Sequence, residues 1–290
     1  MRFGIFWIAC LAMGQDFSDI QLEKASGGHR FTEGPLWSKY IDGLLFCEVP
    51  SNKILAFQPG KGLGKYLDET GGASGLSYDA EGHLYIAEAR SRRIIRLSAS
   101  DEKKVEVVAE RFEGKRFNGP NDIVVRKDGQ VYFSDPAFGA QSETREMDFY
   151  GVYHMTPKGE LSLVAKPKGR PNGVTLSPNG RILYVANSDE RKVYVYDLDG
   201  RGKASNERVF LSGLDGVPDG LRTDEKGNVY VAANHVYIFS PQGKALHTIH
   251  MGEKPSNMTF GDADHMTLYI TAKASVYRAR MKVKGAVSEY

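Results

Sequence analysis

The chain has 290 residues, enough for one large domain or two ordinary ones, and a core of that size needs neither disulfides nor a structural metal. Its formal net charge is only +2, with acidic and basic residues interspersed, so there is no case for a nucleic-acid or membrane-surface partner. Thirty-two glycines and fifteen tyrosines point to many short strands joined by tight turns.

The first segment, M-R-F-G-I-F-W-I-A-C-L-A-M-G-Q, carries one positive charge, an apolar run from Phe3 to Met13, and small residues at Ala12 and Gly14. That pattern predicts a short export signal over residues 1–14 and one domain over residues 15–290, periplasmic or secreted. If the run is not a signal, the protein is expected to stay cytoplasmic. No later stretch is long and apolar enough to span a bilayer. With the signal removed, Cys47 in the run L-L-F-C is the one cysteine left. It reads as a buried, inert thiol, with no bridge and no cysteine metal site open to it.

Beyond the signal, one pattern recurs: a polar residue, an apolar run, a turn with glycine, then a strand of aromatic and small residues. The copies begin E-G-P-L-W at Glu33, S-G-L-S-Y at Ser74, N-D-I-V-V at Asn121, N-G-V-T-L at Asn172, D-G-L-R-T at Asp219 and S-N-M-T-F at Ser256. Successive starts are 41, 47, 51, 47 and 37 residues apart. The second strands read L-L-F-C-E, L-Y-I-A-E, V-Y-F-S-D, L-Y-V-A-N, V-Y-V-A-A and L-Y-I-T-A. The clearest copy lies within residues 115–136. There a polar turn from Asn118 to Asp122 leads into Ile123, Val124 and Val125, a turn at Lys127, Asp128 and Gly129, and a strand from Val131 to Ser134.

A period of about 40–50 residues with several short strands per unit marks a β-propeller. The expected fold is therefore all-β, a six-bladed β-propeller. A β-sandwich, or two smaller β domains, fits the near-constant period poorly. In a propeller the first strand of each blade runs nearest the axis. The repeat phase thus predicts a polar ring of Glu33, Ser74, Asn121, Asn172, Asp219 and Ser256 at one end of the channel. Two carboxylates and two amides converging there form a set of hard oxygen donors, suited to calcium, magnesium or manganese.

Other chemistries find less support. The seven histidines fall neither at zinc-motif spacing nor at a ring position, and His83 and His265 read as surface turn residues. Ser74 lies in G-G-A-S-G, which lacks the spacing of a nucleophile elbow. Asn257 opens a formal glycosylation sequon, but at the start of a strand. Between S-D-P at 134–136 and G-V-Y-H-M at 151–155 lies a long insertion, residues 137–150, expected to be either a lid or wall of the ring end or a solvated loop.

Taken together, F-T-E-G-P-L-W, G-K-R-F-N-G-P-N-D-I-V-V, Y-F-S-D-P, R-P-N-G-V-T-L-S-P-N-G-R-I-L-Y-V-A-N and G-V-P-D-G-L-R-T-D-E-K-G-N-V-Y-V-A-A resemble the gluconolactonase family, also called the senescence-marker-protein-30/regucalcin-like family, from about Glu23 to Arg280. The resemblance implies a divalent metal on the axis, calcium first, with zinc, magnesium or manganese as alternatives. It implies Glu33, Asn172 and Asp219 as metal ligands, with Asn121 facing both metal and substrate. It also implies Asn118 as a substrate contact and Asp219 as the catalytic acid/base. The implied substrate is a small-molecule lactone such as gluconolactone. One departure stands out. Where sugar-lactone members can place an arginine before the asparagine at 121, this chain has Gly119-Pro120, which loosens the link to an aldonolactone. The competing expectations are a phosphotriester or organophosphate hydrolase on the same propeller, a strictosidine-synthase-like condensing enzyme, and a non-catalytic binding propeller.

Overall fold

The structure, a computed structural model, describes residues 17–101 and 104–286. The predicted export signal lies outside the described residues. The described residues hold six four-stranded antiparallel sheets, the inner strand of each starting at or near one of the six sequence copies. Blade 1, for example, runs outward through Thr32–Ser38, Gly43–Glu48, Lys53–Gln58 and Gly62–Asp68. The inner strands of blades 2 to 6 are Ala73–Tyr78, Ile123–Val125, Pro171–Leu176, Leu221–Thr223 and Pro255–Gly261. Every residue of all six inner strands is buried. That is why their sequences read as near-continuous apolar and small-residue runs rather than strict alternation.

The ring closes in a way that the repeats did not reveal. Blade 6 takes its outer strand from the beginning of the chain: Glu23–Gly27 pairs antiparallel with Ser275–Arg280, Glu23 opposite Arg278 and Gly27 opposite Ser275. An open ring would leave the third strand of blade 6 as a bare sheet edge, and the N-terminal strand covers it. Phe17 anchors the segment just before that strand, buried beside Tyr230 with ring centroids 6.4 Å apart.

The hydrophobic core divides into clusters, one between each pair of neighbouring blades. Leu45, Ile54, Ile86 and Ile95 pack blade 1 on blade 2. Trp37 and Phe46 of blade 1 meet Tyr269 and Val276 of blade 6 across the closure. Each sheet is too small to bury both its faces alone, so adjacent blades supply each other's cover.

Two local devices shape the channel end. The inner strands of blades 1, 2, 4 and 6 each begin with a β-bulge, between Glu33 and Leu36, Ala73 and Gly75, Pro171 and Val174, and Pro255 and Asn257. A bulge inserts an extra residue and turns its side chain off the pleat. The glycine that follows a ring residue then lets neighbouring inner strands approach closely. A Cβ on Gly34 (φ +50°) would lie 2.0 Å from the Ser74 carbonyl oxygen, and one on Gly173 would lie 2.3 Å from that of Asp219. Only glycine fits either place.

Candidate active site on the propeller axis

A cavity of about 380 Å³ opens at the channel end, and Glu33, Ser74, Asn121, Asn172 and Asp219 all line it. Five of the six expected ring residues are thus brought together. The sixth, Ser256, is not among the lining residues. Its hydroxyl is fully used in packing: it donates to the Thr32 carbonyl at 2.7 Å and lies within hydrogen-bonding range of the Thr271 carbonyl and hydroxyl. The next residue, Asn257, does not line the cavity either: its Oδ1 accepts from Met258 N at 2.8 Å, as Asp122 accepts from Ile123 N in blade 3. The Asn257 amide lies beside Glu33 and favours its ionised form, against the burial that raises it. Asn257 is buried, so the formal sequon presents no glycan acceptor on the folded chain.

The two amides are oriented by hydroxyls. Asn121 Nδ2 donates to Ser74 Oγ at 3.2 Å, and Asn172 Nδ2 donates to Ser188 Oγ at 3.1 Å. Ser188 in turn donates to the Pro218 carbonyl at 3.0 Å, which ties Asn172 to the segment carrying Asp219. With each nitrogen committed to a hydroxyl, each carbonyl oxygen is left as the acceptor available to a cation.

The carboxylates feel one another. Burial, then the charges of Asp219 and Asp122, push the Glu33 carboxyl well above the usual carboxylate range. Burial pushes Asp219 up to about 7, with Asp122 acting in the same direction and Lys254 opposing it. Asp122 is a member of this group that sequence reasoning passed over. Its two oxygens accept from Ile123 N and Val174 N, each at 3.0 Å, so it spans blades 3 and 4 beneath the ring. Two buried carboxylates, Glu33 and Asp122, with Asp219 beside them and so little positive charge nearby, are costly unless protonated or neutralised by a cation. The donors are two carboxylates and two amide oxygens, with no histidine or cysteine lining the cavity. This set fits a hard divalent ion and fits zinc less well.

Asn118 stands elsewhere. It has no exposed surface and does not line the cavity. Its Nδ2 donates to the carbonyls of Asp135 (3.2 Å) and Phe149 (2.9 Å), while its backbone N–H and that of Gly119 donate to the Asp135 carboxylate. The expected direct contact with substrate does not follow from this placement. Asn118 instead pins the base of the 137–150 insertion. Burial raises the Asp135 carboxyl to about 7 against the pull of those two N–H groups.

The insertion forms a wall of the cavity. Phe138, Gly139 and Gln141 line it, alongside Phe31, Val49 and Ala89 from connections in blades 1 and 2. Residues Gly139–Thr144 form a short 3-10 helix. Buried Arg92 holds that helix: Nη1 donates to the Thr144 carbonyl at 2.9 Å, and Nη2 donates to the Gln141 carbonyl at 3.2 Å and to the Thr144 hydroxyl.

One other group of possible ligands exists among the described residues, Asp79, Glu81 and His83. It lies in the turn between Ala73–Tyr78 and Leu84–Glu88, at the far end of the inner strand from Ser74. Asp79 serves that turn, accepting from His83 N and contacting His83 Nδ1, both at 2.8 Å. His83 is therefore a partly exposed turn residue, as expected, but a paired one.

Known proteins place this arrangement. The family model described as "SMP-30/Gluconolactonase/LRE-like region" matches residues 31–274. A gluconolactonase of Zymomonas mobilis is 33% identical over 294 residues, covering 91% of this chain and 82% of the relative. A diisopropyl-fluorophosphatase of Loligo vulgaris is 27% identical, covering 82% and 84%. The solved structure of a gluconolactonase from Xanthomonas campestris superposes with a TM-score of 0.86 at 27% identity, over 93% of this chain and 92% of that one. With a polar ring in a closed propeller and a match across nearly all of its blades, the chain belongs to the SMP-30/gluconolactonase/LRE-like family.

Proposed function

We propose that the protein is a metal-dependent lactonase, a hydrolase that opens a cyclic ester, with Glu33, Asn121, Asn172 and Asp219 holding one divalent cation. The observation that carries this reading is the convergence of those four oxygen donors on one cavity of about 380 Å³. When bound, a hard cation, calcium by preference for such donors, polarises the ester carbonyl and favours the oxyanion. The chain's own residues supply the remaining steps. Asn121 and Asn172 are fixed by Ser74 and Ser188, so their carbonyl oxygens stay oriented without reorganisation. Asp219 takes the proton of the attacking water and returns it to the ring oxygen as the acyl C–O bond breaks, giving a hydroxy acid. Asp122 lies too deep to touch substrate and keeps the neighbouring backbone N–H groups in place.

The likeness to the fluorophosphatase leaves phosphotriester hydrolysis as the competing activity. Purified protein is assayed on a lactone panel and on a fluorophosphate, before and after chelation and after adding back calcium. Lactone turnover that disappears with the chelator and returns with calcium is the expected result. Turnover that survives complete metal removal, or that is confined to the fluorophosphate, refutes it.

A further inference from the structure

We infer that this cavity takes a cyclic ester bearing an apolar alkyl or aryl substituent, seated between Phe31 and Phe138, in preference to a polyhydroxylated sugar lactone. The inference rests on the lactonase reading and specifies its substrate. Above the polar ring, the walls are carbon. Phe31, Val49, Ala89 and Phe138 form them, and Gln141 is the one polar wall side chain among the residues lining the cavity. Phe31 is 37% exposed, although the strand that starts at the next residue is wholly buried. A phenyl ring left partly in water at the rim of a cavity is surface that an apolar ligand would cover.

Two of the nearby cations, Arg92 and Arg170, hold the wall instead of reaching into it, while Lys254 acts on the Asp219 carboxylate at the ring below. Arg170 is bound to the Asp189 carboxylate, with Nη2–Oδ1 2.7 Å and both Nε contacts 3.1 Å, and its guanidinium packs 4.8 Å from the centre of the Phe138 ring. Arg92 is occupied by carbonyls of the 3-10 helix. A side chain projecting from position 119 would meet the Ala89 carbonyl at 3.2 Å and Gln141 Cγ at 3.6 Å. Gln141 borders that corner, and the glycine at 119 itself contributes no polar side chain to it. A sugar lactone would bring hydroxyls on most of its ring carbons to walls offering a single amide. Each hydroxyl that loses water without gaining a partner weakens binding. A phenyl or alkyl group gains instead, and discrimination of this kind is worth roughly 10- to 200-fold.

The test uses the calcium-loaded full chain with γ-butyrolactone, γ-phenyl-γ-butyrolactone and glucono-δ-lactone. The expected kcat/KM for the phenyl lactone is at least tenfold above that for gluconolactone. In the double variant Phe31→Ala/Phe138→Ala, the ratio of kcat/KM for phenyl lactone to that for butyrolactone falls at least fivefold, mainly through KM. Gluconolactone handled as well as the phenyl lactone overturns the inference, and so does an unchanged ratio in the variant. If no lactone is turned over, the lactonase reading fails separately. Calorimetry with gluconate and with 4-hydroxy-4-phenylbutyrate then decides the cavity's preference. Tighter binding of the phenyl acid supports it, and tighter gluconate binding, or no binding of either, overturns it.

Discussion

Asp219 and Ser256 occupy equivalent positions in the repeat, yet the structure gives them opposite work. Asp219 lines the cavity among the other oxygen donors, whereas Ser256 ties the inner strand of blade 6 to the Thr32 carbonyl of blade 1. Asp219→Asn is expected to lower lactone turnover at least about a hundredfold and to weaken calcium binding while the melting temperature holds. Ser256→Ala should do the reverse. It should cost about 1–3 kcal/mol of stability through the stranded carbonyl while changing kcat/KM by less than about threefold. Thermal melts and kinetics on both variants separate these outcomes, and an active Asp219→Asn enzyme with normal calcium affinity refutes the assignment. The ring residues could be found from sequence because repeat phase places them without any knowledge of contacts. Asp122 and Asn257 were missed because each follows a ring residue, at a position filled by glycine in the other four copies. A polar side chain at a position where the repeat wants none was the available signal. In the chain, Asn118 and Asn121 look alike as members of polar turns, and only burial distinguishes a side chain that faces the cavity from one that holds its wall.

At the level of elements, the 137–150 insertion is held by Arg92, a residue in left-handed backbone (φ 58°) at the turn before the third strand of blade 2. Three donor contacts from one guanidinium fix Gln141 and Thr144 and so place Gln141 and Phe138 at the cavity. Arg92→Ala is expected to raise KM for the preferred lactone at least about fivefold and to speed hydrogen exchange at residues 139–144, with the propeller's melting temperature little changed. Unaltered exchange and kinetics would show that Arg92 does not hold this wall. The insertion has no periodicity for a sequence to display, and its anchor lies 49 residues away at Gln141. Its length could be read from the chain, but its role could not.

For the molecule as a whole, the decisive event is closure. Blade 6 is completed by Glu23–Gly27, and Phe17 packs beside Tyr230. Removal of residues 1–14, as the export expectation requires, should therefore leave the melting temperature unchanged. Removal of residues 1–28 takes away a whole sheet strand and its anchor and should lower it by at least about 10 °C or leave the chain insoluble. Circular dichroism melts and size-exclusion chromatography of the two truncations provide the check. Equal stability would mean that the closing strand is dispensable.

The sequence by itself determined the number of blades and their first strands, and it singled out the oxygen donors that the fold brings to one cavity. All of these follow from periodicity and from residue chemistry repeated at one phase, which a linear chain carries openly. Only the tertiary structure decided which strand closes the ring and that Ser256 is withdrawn from the cavity to bind the Thr32 carbonyl. Only it decided that Asn118 stands behind the wall, and that the wall is apolar and braced by Arg92 and Arg170. Each of these depends on contacts between residues far apart in the chain, created by a bulge, a close backbone approach or a closed circle of sheets, none of which leaves a periodic mark.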